Sequence, residues 1–154
     1  MKTSCSITID APLERIFELT SDLENWVPNL PHYRFINFFE RTGDKFRNKV
    51  KMACWCRGFI PLSWHSIHEI KPDVHEVHFN HLRAFTKGMH VIWNYEPTAD
   101  NRVLVTITHT QNFRLPWLAW FAEPVIDRGF IEPVANKTLA TFKAILEAER
   151  RRSS

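Results

Sequence analysis

Between Tyr33 and Phe113 apolar and polar residues alternate at a period of two, in short runs separated by turn residues. That period puts successive side chains on opposite faces of a strand. The runs are Tyr33 to Arg41, Lys45 to Cys56, Phe59 to Ile70, Val74 to Leu82, Phe85 to Pro97 and Val103 to Phe113. Gly43-Asp44, Arg57-Gly58, Lys71-Pro72-Asp73 and Thr98 to Arg102 read as turns between them. The second run is the clearest. Phe46, Asn48, Val50, Met52, Cys54 and Cys56 take the inward parity, and Lys45, Arg47, Lys49 and Lys51 take the outward one. Short joints between consecutive strands predict an antiparallel meander.

The period differs at both ends of this region. Ser4 to Asp10 alternates, with Cys5, Ile7 and Ile9 on one face, which predicts a first strand. Pro12 then suits a first helical position with Asp10 or Ala11 as cap, and Leu13, Ile16, Phe17 and Leu19 form a helical stripe. Ser21 and Asp22 offer caps for a second short helix through Trp26, stopped by Pro28 and Pro31. Beyond Phe113, Pro116, Pro124, Gly129 and Pro133 punctuate a segment that carries Trp117, Trp120 and Phe121. From Val134 the spacing of Ala135, Leu139, Phe142 and Leu146 predicts a long terminal helix, kinked or broken near Pro133. The expected fold is α+β: a curved antiparallel sheet of about seven strands around a long C-terminal helix. Two short helices follow the first strand, and residues 1–154 form a single domain.

The inward parity is interrupted by four hydrogen-bonding side chains, His68, His81, His109 and Gln111. Burying one without a partner costs on the order of 1–3 kcal/mol. A sheet that merely packed on a helix would have little use for them. A mostly apolar cavity with a few polar groups pointing inward accounts for the pattern and suits a small hydrophobic ligand. Trp64, Met89 and Trp93 share that parity and are candidate walls, with Phe142 facing them from the helix. Two readings of the histidines stand: each is hydrogen-bonded within the core, or one or two polarise a ligand carbonyl or move a proton as neutral imidazoles. His32, His65, His75, His78 and His90 fall on loops or on the opposite parity and are expected at the surface. No H-x-H lies on the inward face and no H-E-x-x-H occurs, so no metal site is expected.

Composition narrows the function classes. The chain has 154 residues, 44% hydrophobic and 24% charged, ordinary values for a soluble globular protein. Six Trp and twelve Phe against two Tyr call for an aromatic core or a flat-walled apolar pocket. The net charge is +3, and the basic residues of the second run and of Arg150 to Arg152 read as solvated surface. No zinc-finger or aromatic RNP pattern accompanies them, so no nucleic-acid partner is expected. Cys54 and Cys56 share one face of one strand and are poorly placed to bond each other. With no apolar leader and no apolar run of membrane-spanning length, the expectation is a cytoplasmic protein with reduced thiols and no stable membrane insertion. Four glycines, no phosphate loop and no G-x-S-x-G argue against nucleotide binding, and no cofactor is expected. The Trp117, Trp120 and Phe121 segment reads as core, or as an apolar rim for ligand passage, dimer contact or membrane touching.

Local wording adds a resemblance. Ser6-Ile7-Thr8-Ile9-Asp10-Ala11-Pro12, then Ile16-Phe17, then Ser21-Asp22-Leu23-Glu24-Asn25-Trp26 resembles the opening of the polyketide cyclase/aromatase group of the START-like (SRPBCC) superfamily. Gly88-Met89-His90-Val91-Ile92-Trp93 through Pro97, and Val105-Thr106-Ile107-Thr108-His109, are similar to its late strands. The resemblance implies a helix-grip fold that binds lipids, polyketides, sterols or quinones between sheet and helix. Aromatase/cyclases of the group are thought to use a tyrosine, a tryptophan and an arginine to fold and dehydrate a poly-β-ketone. Tyr33 falls at the tyrosine position and Trp64 at the tryptophan, but the arginine position is His68. An arginine is a permanent forked cation, whereas histidine is mostly neutral at pH 7.

Two functions follow from the residues and the resemblance together. One is a cyclase, aromatase or dehydratase, with Tyr33 and His68 or His109 assisting enolisation or loss of water, and with an acyl carrier protein as partner. The other is a non-catalytic carrier or sensor of a lipid, quinone or isoprenoid. In both, Trp64, His81, Met89, Trp93, Gln111 and Phe142 are the expected ligand contacts, and a homodimer is left open.

Overall fold

Alternation along the chain becomes one antiparallel sheet of seven strands in the order β1-β7-β6-β5-β4-β3-β2. The structure is a computed structural model that describes residues 1–83, 86–112 and 116–153, the side chains of residues 116 and 118 apart. The strands are β1 (Lys2–Ile9), β2 (Tyr33–Arg41), β3 (Arg47–Cys56), β4 (Ile60–Lys71), β5 (Glu76–His81), β6 (His90–Pro97) and β7 (Val103–Thr110). Helix α1 (Leu13–Ser21) and helix α2 (Trp26–Asn29) follow β1, and α3 (Pro116–Ile126) and α4 (Glu132–Ser153) follow β7. This is the meander that the short joints predict, closed by β1 against β7. Phe85 and Phe113, read as strand ends from the alternation, lie outside the described residues.

Several boundaries differ from the sequence reading, each for a local reason. β3 starts two residues late, and Phe46 is 44% exposed instead of facing inward. The Asp44 carboxylate accepts the Phe46 N–H at 2.9 Å and the Thr42 hydroxyl accepts the Arg47 N–H at 3.2 Å, so the turn holds these residues out of the ladder. Lys45 is left-handed there, with φ 66°. β5 starts only at Glu76, because Pro72–Val74 winds a single 3₁₀ turn that leaves His75 left-handed. Pro12 caps α1 rather than opening it, with no side-chain cap bond. Asp22 caps the 3₁₀ turn Leu23–Asn25 by accepting the Glu24 N–H, and α2 runs past Pro28.

The expected stripe of α4 is the one that is buried: Ala135, Leu139, Phe142 and Leu146, with Thr138 among them. Phe142 meets Trp26 and Trp93 edge-on, at centroid distances of 5.9 and 6.5 Å. On the other side of the core the Thr20 hydroxyl of α1 shares a 2.7 Å hydrogen bond with Tyr95 of β6.

The break before α4 has a chemical cause. Pro133 has no N–H, and its ring crowds the carbonyl four residues back, that of Gly129. Asp127–Ile131 accordingly widens into a π-type turn, in which the Glu132 N–H reaches Asp127 O. The carbonyls it frees are taken up by the β3–β4 turn. Arg57 donates to Gly129 O at 3.2 Å and to Arg128 O at 2.9 Å, and the Cys56 thiol donates to Gly129 O at 3.4 Å. Arg57 and Gly58 both take positive φ, at 55° and 82°, which turns the chain sharply enough for Arg57 to reach the helix.

Phe142 is fully buried with two aromatic neighbours, so Phe142→Ala leaves a void under α4. The expected loss is about 3–5 kcal/mol of unfolding free energy, read as a lower urea midpoint. A loss of about 0.5 kcal/mol, as surface changes typically give, would show that α4 is not held by this contact.

Candidate functional site

Between the concave face of the sheet and the helices lies a cavity of about 790 Å³, its open mouth included. Its floor is Met52 of β3, Phe79 of β5, Val91 and Trp93 of β6 and Ile107 of β7. Its roof is Ile126, Phe130 and Ile131 around the π-type turn, then Val134, Ala135 and Thr138 of α4. Leu62, Ser63 and Trp64 from the start of β4 and Thr86 from the β5–β6 loop place the mouth at that end of the sheet. Among the described residues no Asp, Glu, Lys or Arg lines it. A mostly apolar pocket with few polar groups is of the kind that holds a small molecule.

Six of the sequence-derived candidates meet here: Tyr33, Trp64, His81, Met89, Trp93 and His109. His68, Gln111 and Phe142 do not line the cavity. His68 faces inward as its parity requires, but it sits further along the sheet. It lies in the cross-strand row Arg41, Asn48, His68, Phe79. Its Nδ1 accepts from the Asn48 amide at 3.0 Å, its ring packs on Phe79 at 4.9 Å, and Asn48 in turn accepts from Arg41 at 2.8 Å. Gln111 lies just past β7, where its backbone exchanges hydrogen bonds with Met1. Phe142 is behind the cavity, against Trp26 and Trp93.

Other residues reach the site unannounced. Thr138 shares the helical stripe of Ala135 and Leu139, and that spacing was a usable signal. Its hydroxyl donates to Val134 O at 2.8 Å, so the neighbouring His32 Nε2, 2.9 Å away, must be the donor to it. His32 is therefore buried under α4, not at the surface. The chain folds it inward at Leu30 to Tyr33, where the loop meets the helix. His78 is also buried, contrary to the parity reading. On the convex face it bonds His90 at 3.0 Å and Glu76 at 2.7 Å, and these neighbours cover it. Trp26, Ile126, Phe130 and Ile131 come from segments where no period-two pattern could place them.

Burial sets the electrostatics. Desolvation lowers the His109 pKa to about 4, and desolvation together with the nearby His109 lowers His81 to about 3. Both imidazoles are therefore neutral at pH 7, and in each the Nδ1 is buried without a hydrogen-bond partner. The Trp64 ring lies within 2° of parallel to His81, with centroids 5.9 Å apart, and gives the cavity a flat wall. Burial also pushes the Tyr33 phenol well above its usual value, the Cys54 thiol adds to this, and hydrogen bonding with Thr138 opposes it. Burial raises Cys54 itself to about 12, so it is a packed thiol and not a nucleophile. Among the described residues no group of three His, Cys, Asp or Glu is arranged to hold a metal ion.

No family model matches the chain. A protein of Streptomyces halstedii named "Putative polyketide cyclase" is 29% identical over 101 residues, 64% of this chain and 90% of that one. Among solved structures, the Zhui aromatase/cyclase from Streptomyces sp. R1128 superposes with a TM-score of 0.73 at 15% identity, over 100% of this chain and 96% of that one. The di-domain ARO/CYC StfQ from the steffimycin biosynthetic pathway gives 0.79 at 13% identity, over 99% of this chain and 52% of that one. A START superfamily protein from Mycobacterium smegmatis gives 0.65 at 16% identity, covering 99% of both chains. At such identities the structural likenesses show the fold, a START-like helix grip.

The buried histidines make stability depend on pH. His32, His68 and His109 have native values of about 4 and His81 of about 3, all lowered first by desolvation from an ordinary 6.5. Below pH 6.5 the unfolded chain takes up protons that the native fold refuses, so stability falls as pH drops from about 6.5 towards 4. The slope is up to about 1.4 kcal/mol per pH unit for each histidine. The urea midpoint should be level above neutrality and fall steeply below pH 6.5. A midpoint unchanged down to pH 4.5 would show that these rings are not held neutral.

Proposed function

We propose that this chain, START-like in fold and similar to the polyketide cyclase/aromatase group, binds an uncharged hydrophobic molecule in the cavity under α4. The ligand is of polyketide, lipid or isoprenoid type, flat over part of its length, and carries an oxygen. The observation that carries this reading is a lining with no charged side chain among the described residues, paired with two wall histidines that each have a buried nitrogen lacking a hydrogen-bond partner. A buried carboxylate or ammonium would find no counter-charge there and would lose its hydration. A ketone, quinone or hydroxyl loses far less and supplies the missing partner to His81 or His109. A neutral imidazole can donate or accept depending on its tautomer, so either a carbonyl or a hydroxyl is served. Trp64, Trp93 and Met89 supply the apolar contact, with Tyr33 near the roof.

Carriage fits the protonation chemistry better than strong acid–base work. An imidazole with a pKa of 3 to 4 is a weak base, and a phenol pushed up by burial is a weak acid. The similarity to the Streptomyces halstedii protein favours a second reading, cyclisation or dehydration of a poly-β-ketone. In that reading the cavity contributes chiefly by holding the chain folded. Tyr33 and His109 then hydrogen-bond the enol oxygen as it forms, and an acyl carrier protein presents the substrate. His68 acts from behind Phe79, as a support of the wall.

Fluorescence titration of the cavity tryptophans with 2-acetylnaphthalene and 2-naphthoate tests the reading at pH 7.5. The ketone should bind saturably, with the carboxylate at least about tenfold weaker. His109→Ala should weaken the ketone by roughly 2- to 12-fold, the worth of one neutral hydrogen bond, and His65→Ala, at the surface, should not. Equal affinity for the two probes, or a His109→Ala protein that binds like the wild type, would overturn it. Incubation with a carrier-bound poly-β-ketone, read by mass spectrometry for loss of water, separates the enzyme from the carrier.

A further inference from the structure

The four most exposed large apolar side chains among the described residues are Trp120, Phe59, Trp117 and Phe121, at 83, 71, 70 and 68%. They gather at one end of the molecule. In the antiparallel order the β3–β4 turn, the β5–β6 loop and the finish of β7 all lie at the same end of the sheet. Phe59 is on that turn, and α3 follows β7 and runs into Ile126 and Phe130 of the cavity roof. Arg57 joins the turn to the roof through Arg128 O and Gly129 O. On α3, Trp117, Trp120, Phe121 and the exposed Val125 recur at helical spacing on one face.

The exposed charged side chains at this end are cations, and the carboxylates there, Glu123, Asp127 and Glu132, are half-buried. Arg57, Arg83, Lys87 and Arg128 are exposed beside the aromatics. Of the neighbouring carboxylates, Glu123 is paired with the Met1 amino group at 3.0 Å and Asp127 has a buried oxygen. A two-fold contact with a second copy would set this cationic end against itself. An acidic protein would meet the cations but leaves no reason for two fully presented tryptophans. Tryptophan and phenylalanine flanked by arginine and lysine suit the interface of an anionic bilayer, where rings sit at headgroup depth and cations meet lipid phosphates.

We propose that this end of the protein docks peripherally on an anionic lipid bilayer. Trp117, Trp120, Phe121 and Phe59 enter the interface, Arg83, Lys87 and Arg128 lie against the headgroups, and the mouth of the cavity faces the membrane. No helix among the described residues is long and apolar enough to cross a bilayer, so the contact is on the surface. Docking does not rest on the ligand reading, since it is measured with no ligand present.

The experiment is co-sedimentation of the full chain with vesicles of phosphatidylcholine alone and of phosphatidylcholine mixed with phosphatidylglycerol. The protein should pellet with the anionic vesicles, less so as salt is raised, with a blue shift of tryptophan emission. The triple variant Trp117→Ser/Trp120→Ser/Phe121→Ser should lose at least about tenfold in partitioning. Arg83→Glu/Lys87→Glu should weaken binding to the anionic vesicles, and it keeps the test decisive if the triple variant fails to fold. Phe39→Ser, an exposed aromatic on β2 away from this end, should change nothing. Absence of binding to both vesicle types, or binding that neither variant alters, overturns the proposal. So does a wild-type dimer in light scattering that the triple variant turns into a monomer without any vesicle binding, or tight binding of an acyl carrier protein in place of vesicles.

Discussion

Phe142, held edge-on by Trp26 and Trp93, is the aromatic anchor of the buried α4 stripe and seats the helix on the sheet beside the cavity. Toward the other end, Pro133 denies the helix a regular hydrogen bond, and the π-type turn displaces its path. Arg57 and Cys56 then hold the displaced carbonyls against the β3–β4 turn. One aromatic contact and one capped irregularity therefore define the space between roof and floor.

The same apolar lining that shapes the cavity decides its chemistry. With no charged lining residue among those described, burial dominates at His81 and His109, and both stay neutral with a nitrogen unpaired. Such groups are costly to the folded chain and useful to a ligand that supplies the missing partner. An arginine at the His68 position would demand a counter-charge. The histidine there instead joins a row with Asn48 and Arg41 and keeps its ring against Phe79. The exposed aromatics lie at the same end of the molecule as the cavity mouth, with exposed cations among them.

His68 and His109 show how far sequence reading carries. Both fall on the inward parity, and both do face inward, because a strand's period of two leaves only two faces. Parity carries no information about height along the strand. Register across the meander places His109 at the cavity and His68 in the row behind Phe79. Phe46 fails differently, since Asp44 captures its own N–H and Thr42 that of Arg47, and the turn overrides the alternation. His32 and His78 fail because burial on a loop or on the convex face depends on what packs above, Thr138 in one case and Glu76 with His90 in the other.

By itself, the sequence determined the order of elements, the antiparallel meander, the apolar stripe of α4 and the face on which each strand residue lies. These follow from periods, turn residues and proline, all local and steric. The helix-grip assignment was legible too, through the wording of the first strand and the short helices. Only the tertiary structure decided which inward residues share one cavity, that Ile126, Phe130 and Thr138 roof it, and that Trp117, Trp120 and Phe121 face outward. Those outcomes depend on the register of distant strands and on the angle at which the chain leaves β7 and enters α4. Both are set by contacts between residues far apart in the chain, such as Arg57 with Arg128 and Gly129, which no local pattern encodes.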